Sequence, residues 1–242
     1  MLSDKQDAYG HEIYDYLHHG RSLEIVERDD GWIDISMGAP QYFAPFKNWM
    51  PHEKKGMKYV RGRVLDIGCG AGRVMQYLEE KGFDVFGVDN SPLAVRVCRE
   101  LGLKQTRVMP ITKIDRKLGR FDTLVFYGNN FGLFGSFKRA RWLLRRFHGM
   151  TSDSGRIIAA TTDPHTTNIK EHKWYHRYNK RRGRMPGQLR IRIRYKKYVT
   201  PYFDYLLVSR REMETIVDGT GWKVSRVIES GSAWYTAVID KV

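Results

Sequence analysis

The sequence predicts an α/β fold whose core is a largely parallel β-sheet. From residue 63 to residue 161, short apolar segments alternate with helical patterns, which is typical of strand–helix–strand units. The first of these segments runs into a glycine-rich turn at 68–72 that opens a helix. Two later apolar segments, 222–228 and 235–240, are separated by so few residues that they can only pair antiparallel. We therefore expect a parallel sheet that ends in an antiparallel strand pair.

Turn residues delimit each element of this core. The last helix is the best defined, because Ser209 can cap its N-terminus with Glu212 three residues later, and Gly219 and Gly221 can end it. The expected strands are 63–67, 84–88, 105–109, 121–127, 156–161, 222–228 and 235–240, and the expected helices are 73–81, 92–101, 137–147 and 209–219.

Two parts of the chain fall outside this alternation. The N-terminal part combines a helix expected over 4–19, a hairpin around Asp29-Asp30-Gly31 and an aromatic-rich irregular stretch. The other part interrupts the pattern between the fifth core strand and the last helix. The expected organisation is therefore an N-terminal lid (1–56), a core in two pieces (57–163 and 209–242) and an inserted cap (164–208).

The composition restricts the class of protein. Hydrophobic residues make up 41% of the 242 residues, enough for a globular core, and only two cysteines are present, which excludes a disulfide scaffold. The first 22 residues hold four acids and no apolar core, and no apolar run approaches the length of a membrane helix. We expect a cytoplasmic protein with no membrane partner.

Positive charge is concentrated in one segment. The formal net charge is +15, and residues 170–197 hold twelve Lys or Arg and one acid, Glu171, so that this segment carries +11. Residues 136–148 contribute five more basic side chains. Charge concentrated in this way indicates a binding partner or a solvated face and says little about the fold.

The strongest local motif is VLDIGCGAGR at 64–73. Its glycines permit a tight turn, and the exposed N–H groups at the start of a helix favour a negative group. The next strand ends at Asp89, 21 residues after Gly68, where a carboxylate suits a ribose diol. Nicotinamide-dependent enzymes also bind their cofactor on a glycine turn followed by an acid. The third glycine of their G-x-G-x-x-G motif would stand where this chain has Arg73. Asp66, inside the motif, fits a ligand with an ammonium group better than it fits a pyrophosphate. The remaining alternative is a tight strand–helix turn that binds no ligand.

With these residues the chain resembles the class I S-adenosylmethionine-dependent methyltransferases, over about residues 60–162 and 209–242. Their motif is an apolar strand, an acid, G-x-G-x-G, and a further acid at the end of the second strand. The resemblance implies a Rossmann-like seven-stranded sheet with a C-terminal antiparallel strand pair. It also implies S-adenosylmethionine as cofactor, S-adenosylhomocysteine as product, and no metal.

The resemblance further implies a role for each residue of the motif. The glycines would pass under the methionine carboxylate and the sugar, Asp66 would lie near the amino group, and Asp89 would hold both ribose hydroxyls. Adenine would lie after the third strand, where many family members have an acid and this chain has Pro110. In such enzymes the leading helix often closes over the cofactor, which makes Tyr9 and Tyr14 further candidates. The expected cofactor-binding residues are Asp66, Gly68, Cys69, Gly70, Gly72, Asp89, Asn90, Met109 and Pro110.

The acceptor should lie outside the carboxyl ends of the strands, near the reversal of strand order. Tyr127, Asn129 and Asn130 follow the fourth strand, and His165 follows the fifth. His165 is the candidate base, the two asparagines could orient a substrate, and Tyr127 could donate a hydrogen bond. The alternatives are that His165 faces water, that the two asparagines belong to an ordinary turn, and that Tyr127 is a core aromatic. The stretch YGNNFG lacks the N-P-P-Y or D-P-P-Y motif of enzymes that methylate base or glutamine amino groups.

The inserted cap contains LRIRIRYKKY at 189–198, in which apolar and basic residues alternate. Alternation of period two predicts a half-buried strand with Arg190, Arg192 and Arg194 on its second face. Arginine suits bidentate recognition of a carboxylate or phosphate, so the first hypothesis is a methyltransferase acting on a small anionic metabolite. The alternative for the strand itself is an edge strand kept soluble by charge.

Other acceptors stay open. Residues 173–184, KWYHRYNKRRGR, mix aromatic and basic side chains, a combination that suits unpaired RNA and makes an RNA methyltransferase the second hypothesis. A protein methyltransferase and a non-catalytic cofactor-binding module are the third. The sequence predicts neither the acceptor atom nor the oligomeric state.

Overall fold

The computed structural model describes residues 2–36 and 38–242, so Met1 and Met37 of the expected lid lie outside the described residues. The chain divides into two compact units, and each is assembled from three separate stretches of sequence. The first unit comprises residues 1–49, 65–114 and 190–203, and the second comprises residues 50–64, 115–189 and 204–242.

Helices and strands alternate along most of the described chain. The helices are α1 (Ala8–His19), α2 (Ala39–Tyr42), α3 (Pro51–Gly56), α4 (Arg73–Glu80), α5 (Pro92–Glu100), α6 (Phe137–His148), α7 (Lys170–Arg181) and α8 (Arg210–Val217). The strands are β1 (Ile25–Arg28), β2 (Ile33–Ile35), β3 (Val64–Ile67), β4 (Val85–Asp89), β5 (Thr106–Val108), β6 (Phe121–Phe126), β7 (Thr151–Thr162), β8 (Gln188–Tyr195), β9 (Tyr198–Val199), β10 (Phe203–Leu206), β11 (Trp222–Glu229) and β12 (Trp234–Lys241).

Seven strands form one mixed sheet in the order β11-β12-β7-β6-β3-β4-β5. β4 pairs parallel with β5 and β6 pairs parallel with β7, whereas β12 runs antiparallel to both β7 and β11. The predicted Rossmann-like seven-stranded fold with a C-terminal antiparallel pair is thereby confirmed. β7 begins at Thr151, earlier than predicted, because its first residues are polar and give no apolar signal.

The strands of this sheet are buried almost completely. In β3 the side chains of Val64, Leu65 and Ile67 are at most 1% exposed, and in β6 Leu124 and Phe126 are fully buried. Burial of one such side chain contributes about 1.5–3 kcal/mol. A strand covered on both faces is a continuous apolar run in the sequence, which is why these elements could be predicted.

A second sheet has five strands, in the order β10-β8-β1-β2 with β9 also paired to β8. β1 and β2 are the predicted hairpin, and β8 is the strand predicted from the alternating arginines. Its apolar residues Ile191, Ile193 and Tyr195 are at most 8% exposed, as the alternation requires. The edge-strand interpretation is wrong, because β8 is paired on both sides.

Candidate functional site

The glycine turn between β3 and α4 belongs to the first unit. Gly68, Gly70 and Gly72 have φ values of 75°, 54° and 83°, in the left-handed region that favours glycine. The N–H groups of Gly68 and Cys69 both donate to the carbonyl oxygen of Val88, at 2.8 and 3.1 Å. The turn is therefore fixed to the end of β4 by two backbone hydrogen bonds.

The glycines of the turn have different surroundings. A Cβ atom on Gly72 would lie 2.2 Å from Leu103, so this position must lack a side chain for the turn to pack on the rest of the unit. A Cβ atom on Gly70 would meet nothing closer than the hydroxyl of Tyr9 at 3.8 Å and Ile13 at 4.0 Å. The backbone at Gly70 therefore lies within van der Waals reach of α1 and still leaves room for a Cβ atom.

Asp89 lies at the end of β4 and is 7% exposed. Its Oδ2 accepts from the N–H of Gly70 (3.0 Å) and its Oδ1 from the N–H of Ser91 (2.9 Å). Burial raises the pKa of Asp89, and these hydrogen bonds oppose that rise. The exposed Asn90 follows directly, and the N–H of Met109 donates to the backbone oxygen of Asp89 at 2.7 Å. Two amides thus orient a carboxylate whose oxygens can each accept a further bond.

Asp66 is the most unusual polar group of this unit. It is 2% exposed, and no donor among the described residues lies within hydrogen-bond distance of its Oδ2. Burial raises its pKa to about 7; the charge of Arg73 lowers the pKa and that of Asp89 raises it further. A buried carboxylate oxygen without a donor is costly, and the ammonium group of a ligand would supply the missing partner. The residues present therefore fit a ligand that combines an ammonium group with a ribose.

The helix α1 packs against this turn. Asp7, which caps the helix, accepts from the N–H of Gly10 (3.1 Å) and from the N–H of Leu93 in α5 (3.0 Å). Further along α1, Ile13 packs in a buried cluster with Ala71 of the turn. An acid one residue before a helix is an N-cap signal, but the bond to α5 could not be foreseen because it joins residues distant in sequence.

The three candidate substrate arginines lie on β8, within the first unit. Arg192 donates from Nη2 to Oε1 of Glu27 at 2.6 Å, and Arg194 donates to the other oxygen of the same carboxylate. The hydroxyl of Tyr202 also donates to Glu27, at 2.9 Å. These arginine hydrogen bonds hold the pKa of Glu27 well below its usual range. Arg190 is exposed.

The opposite face of β8 packs on α1. Ile193 and Tyr195 form a buried cluster with Ala8, the first residue of that helix. Because successive side chains of a strand point to opposite faces, Arg192 and Arg194 lie on the face of the sheet turned away from α1.

The acceptor-side candidates belong to the second unit. Tyr127 is 3% exposed, and its hydroxyl donates to the carbonyl oxygen of Glu53 at 2.8 Å. Asn129 has a φ of 70°, its Oδ1 accepts from the hydroxyl of Thr162 (3.3 Å), and its backbone oxygen accepts from Tyr205 (2.6 Å). The half-buried Asn130 begins the short 3₁₀ turn that follows.

His165 follows β7 in the same unit, and its side chain is 44% exposed. Its Nε2 lies 3.2 Å from Oε1 of Glu212, and its ring centroid lies 6.0 Å from that of His176. The other oxygen of Glu212 accepts from the N–H of Ser209, which completes the predicted capping box of α8. A histidine within hydrogen-bond distance of a carboxylate can act as a general base, and the carboxylate can orient its ring.

In residues 2–36 and 38–242, His, Cys, Asp and Glu form no group of three or more that could hold a metal ion. No helix within those same ranges has the length and apolar character needed to cross a membrane.

Both the sequence and the structure are similar to those of known proteins. Residues 64–155 match a family model described as a methyltransferase domain. A probable nonribosomal peptide synthetase, CymA, from Salinispora arenicola is 25% identical over 165 residues, which cover 64% of this chain. The chain spans only 2% of the length of that relative.

Several solved structures share the fold. A methyltransferase from Bacteroides fragilis, in complex with S-adenosylhomocysteine, superposes with a TM-score of 0.84 at 22% identity, covering 100% of this chain and 98% of that one. The CcbJ methyltransferase from Streptomyces caelestis gives 0.60 at 13% identity, with 84% and 98% covered. A methyltransferase from Methanosarcina mazei gives 0.59 at 16% identity, with 77% and 96% covered.

Proposed function

Residues 64–155 match a methyltransferase domain, and on that premise we propose that the chain is a class I S-adenosylmethionine-dependent methyltransferase that binds this cofactor on the glycine turn of the first unit. The observation that carries the proposal is the buried, unpartnered Oδ2 of Asp66 beside that turn. Asp66 would hold the ammonium group of the cofactor, and the backbone of Gly68, Cys69, Gly70 and Gly72 would contact its methionine and sugar parts.

The end of β4 would bind the nucleoside. Asp89 would accept from the ribose hydroxyls, with Asn90 beside it, because its carboxylate is already oriented by two backbone amides. Met109 and Pro110 would contact the adenine by packing and through backbone groups. Met109 is hydrogen-bonded to the backbone of Asp89, which supports a role for both residues at one ligand.

When bound, S-adenosylmethionine supplies a methyl group activated on a sulfonium, so the protein has mainly to align the acceptor and exclude water. We propose His165 as the base, with Glu212 orienting its ring. The loop after β6 would shape the acceptor site: Tyr127 is tied to Glu53 and Asn129 to Tyr205, and Asn130 follows.

For the acceptor we propose a small anionic molecule. The packing of α1 on the glycine turn supports a small acceptor, since a covered cofactor loop disfavours access by a folded polymer. The arginines of β8 support an anionic one, because Arg192 and Arg194 bring two positive charges to the single carboxylate of Glu27.

The substitution Asp89→Ala tests the cofactor site. We expect calorimetry to show S-adenosylmethionine binding at least tenfold weaker, because two charge-assisted hydrogen bonds to the ribose are lost. Asp84→Ala, the same change at an exposed residue just before β4, is the matched control and should bind as the wild type does. Wild-type affinity in Asp89→Ala would remove the basis of the site.

The acceptor class is tested by supplying the enzyme with methyl-labelled cofactor and separated cellular fractions. We expect the label in small anionic metabolites, identified by mass spectrometry. Label confined to RNA or protein would contradict the proposed acceptor while leaving the cofactor site intact.

A second candidate acceptor is RNA, and the observation that favours it is the outer face of α7. Trp174 and Tyr178 are 48% and 38% exposed and stack with ring centroids 5.2 Å apart at 10°. The guanidinium of Arg182 lies 4.8 Å from the centroid of the Tyr178 ring. Exposed rings among cations are what unpaired bases stack on.

The substitution Trp174→Ala tests this candidate. If RNA binds on α7, binding of a labelled single-stranded oligoribonucleotide should weaken by about 1–3 kcal/mol in fluorescence anisotropy, or roughly 5- to 150-fold. Trp142→Ala on α6 is the matched control, since the Trp142 ring is 45% exposed and its centroid lies 5.4 Å from the guanidinium of Arg146, but it stacks on no other ring of the described residues. Equal effects of both substitutions would exclude a stacking site on α7.

A further inference from the structure

One buried carboxylate caps two helices of the first unit. Asp7 is 1% exposed and directly precedes α1. Its Oδ1 accepts from the N–H of Gly10 in the first turn of α1 at 3.1 Å, and its Oδ2 accepts from the N–H of Leu93 in the first turn of α5 at 3.0 Å. The partial positive charge at the two helix N-termini compensates the burial of this acid. Asp7 is not among the cofactor residues assigned above.

The second of these bonds completes the start of α5. The N–H of Ala94 donates to the hydroxyl oxygen of Ser91 at 3.0 Å, which caps the helix from within the loop after β4. The N–H of Leu93 takes its acceptor from Asp7, 86 positions earlier in the chain. Ser91 also donates its own N–H to Oδ1 of Asp89 at 2.9 Å. The loop that orients Asp89 therefore ends in a helix start to which Asp7 supplies an acceptor.

Gly10 allows α1 to lie this close to the loop. A Cβ atom at Gly10 would collide with the hydroxyl oxygen of Ser91 and would lie 2.6 Å from both carboxylate oxygens of Asp7. The hydroxyl of Ser91 is fully buried and cannot turn away without losing its bond to Ala94. Glycine inside a helix weakens that helix relative to alanine. The close approach of α1 therefore requires a residue that makes α1 itself less stable.

The same part of α1 contacts the glycine turn. The hydroxyl of Tyr9 lies 3.8 Å from the position of a Cβ atom on Gly70. One turn further along α1, Ile13 packs in a buried cluster with Ala71 of the turn and with two residues of α5. The helix α1 thus touches both parts of the first unit that border the proposed cofactor site. A carboxylate that fixes the start of α1 on α5 also fixes these contacts.

We propose that Asp7 is a positioning residue of the cofactor site. By holding the start of α1 on the start of α5, it keeps the glycine turn and the loop from Asp89 to Ser91 in the arrangement that binds S-adenosylmethionine. The inference rests on the cofactor site proposed above. Asp7 acts through its hydrogen bonds to Gly10 and Leu93 and not by touching the cofactor.

The substitution Asp7→Ser separates the two hydrogen bonds. Serine is as good an N-cap as aspartate, so α1 keeps its cap, whereas the single hydroxyl oxygen on a shorter side chain leaves the N–H of Leu93 without its acceptor. We expect calorimetry on the full-length protein to show S-adenosylmethionine binding about tenfold weaker than that of the wild type. Asp4→Ser, the same change at an exposed acid in the turn before α1, is the matched control and should bind as the wild type does.

The substitution Gly10→Ala displaces α1 without altering the charge of Asp7. Alanine is a better helix former than glycine, so α1 itself becomes more stable. Its methyl group nevertheless forces α1 away from Ser91, and we expect S-adenosylmethionine to bind about fivefold more weakly. A role of Asp7 confined to the stability of α1 predicts unchanged or tighter binding by this variant. Gly10→Ala decides between these roles even if Asp7→Ser does not fold.

The double variant Asp7→Ser/Gly10→Ala completes the test. Because both changes release the same contact, its loss of affinity should about equal that of the weaker-binding single variant. Each variant is measured at a temperature where circular dichroism shows it folded, so that lower stability alone leaves the affinity unchanged. Wild-type affinity in Asp7→Ser or Gly10→Ala, or a double-variant loss equal to the product of the single losses, would overturn the positioning role. Failure of the wild type to bind the cofactor would instead overturn the site itself.

Discussion

Single residues at the glycine turn carry a cost in stability that the proposed cofactor site explains. Asp66 is buried beside the glycine turn, and its Oδ2 has no donor in the parts of the chain that the structure describes. Its raised pKa means that the folded state binds a proton more tightly than the unfolded state does. The stabilisation that this bound proton gives is therefore lost as the pH rises from the ordinary carboxyl pKa to about 7, and the free energy of unfolding falls over that range.

Asp66→Asn should separate these two effects. The amide removes the buried charge, so we expect a higher melting temperature than that of the wild type at pH 8 in the absence of ligand. The same variant should bind S-adenosylmethionine at least tenfold more weakly, because a charge-assisted hydrogen bond is lost. Thermal denaturation and calorimetry on one preparation measure both. A variant that gains no stability at pH 8, or that binds as the wild type does, would contradict this description of Asp66.

At the scale of single residues, the sequence predicted the positions whose partners lie close to them along the chain. The glycines of the turn, Asp66 and Asp89 follow from spacing along one strand–turn–helix unit, and the capping box of α8 follows from a four-residue pattern. The hydrogen bond from the N–H of Leu93 to Asp7 was missed, because it depends on how α1 packs against α5. No local pattern encodes that packing.

At the scale of elements, β8 shows both the strength and the limit of patterning. Alternating apolar and basic residues predicted the strand and its buried face, and the structure has both. Its pairing with β1, and hence the contact of Arg192 and Arg194 with Glu27, joins residues 165 and 167 positions apart. A period of two predicts which face is buried but not which strand is adjacent.

Glu27 should accordingly matter for the stability of this sheet. Glu27→Ala leaves two arginines on one face without their shared carboxylate, and we expect the free energy of unfolding to fall by about 1–3 kcal/mol. Because the pKa of Glu27 is lowered in the folded state, this contribution is present above the ordinary carboxyl pKa and is lost as the pH falls below it.

Denaturant unfolding of Glu27→Ala at pH 7 and pH 3 measures this difference. Asp34→Ala, at an exposed residue of the neighbouring strand β2, is the matched control and should change little at either pH. An equal loss of stability for Glu27→Ala at both pH values would show that packing, and not charge, is responsible.

At the scale of the whole molecule, the fold class could be predicted, whereas the expected division into lid, core and cap stays a prediction. Each unit is assembled from three stretches, and the first joins the N-terminal 49 residues to 65–114 and 190–203. Continuous apolar runs predicted the individual core strands because each run is a property of adjacent residues, and the family resemblance implied that these strands form a seven-stranded sheet. The five-stranded sheet escaped prediction because its strands come from two distant segments, residues 25–35 and 188–206.

The pairing of β1 with β8 also affects the order of events during synthesis. Glu27 leaves the ribosome 165 residues before Arg192. At about 5–20 residues per second, the first hairpin waits roughly 8–33 s for its partner strand. During that interval β1 offers a bare edge and Glu27 lacks both arginines, so a nascent chain stalled before residue 190 should be vulnerable to edge-to-edge aggregation.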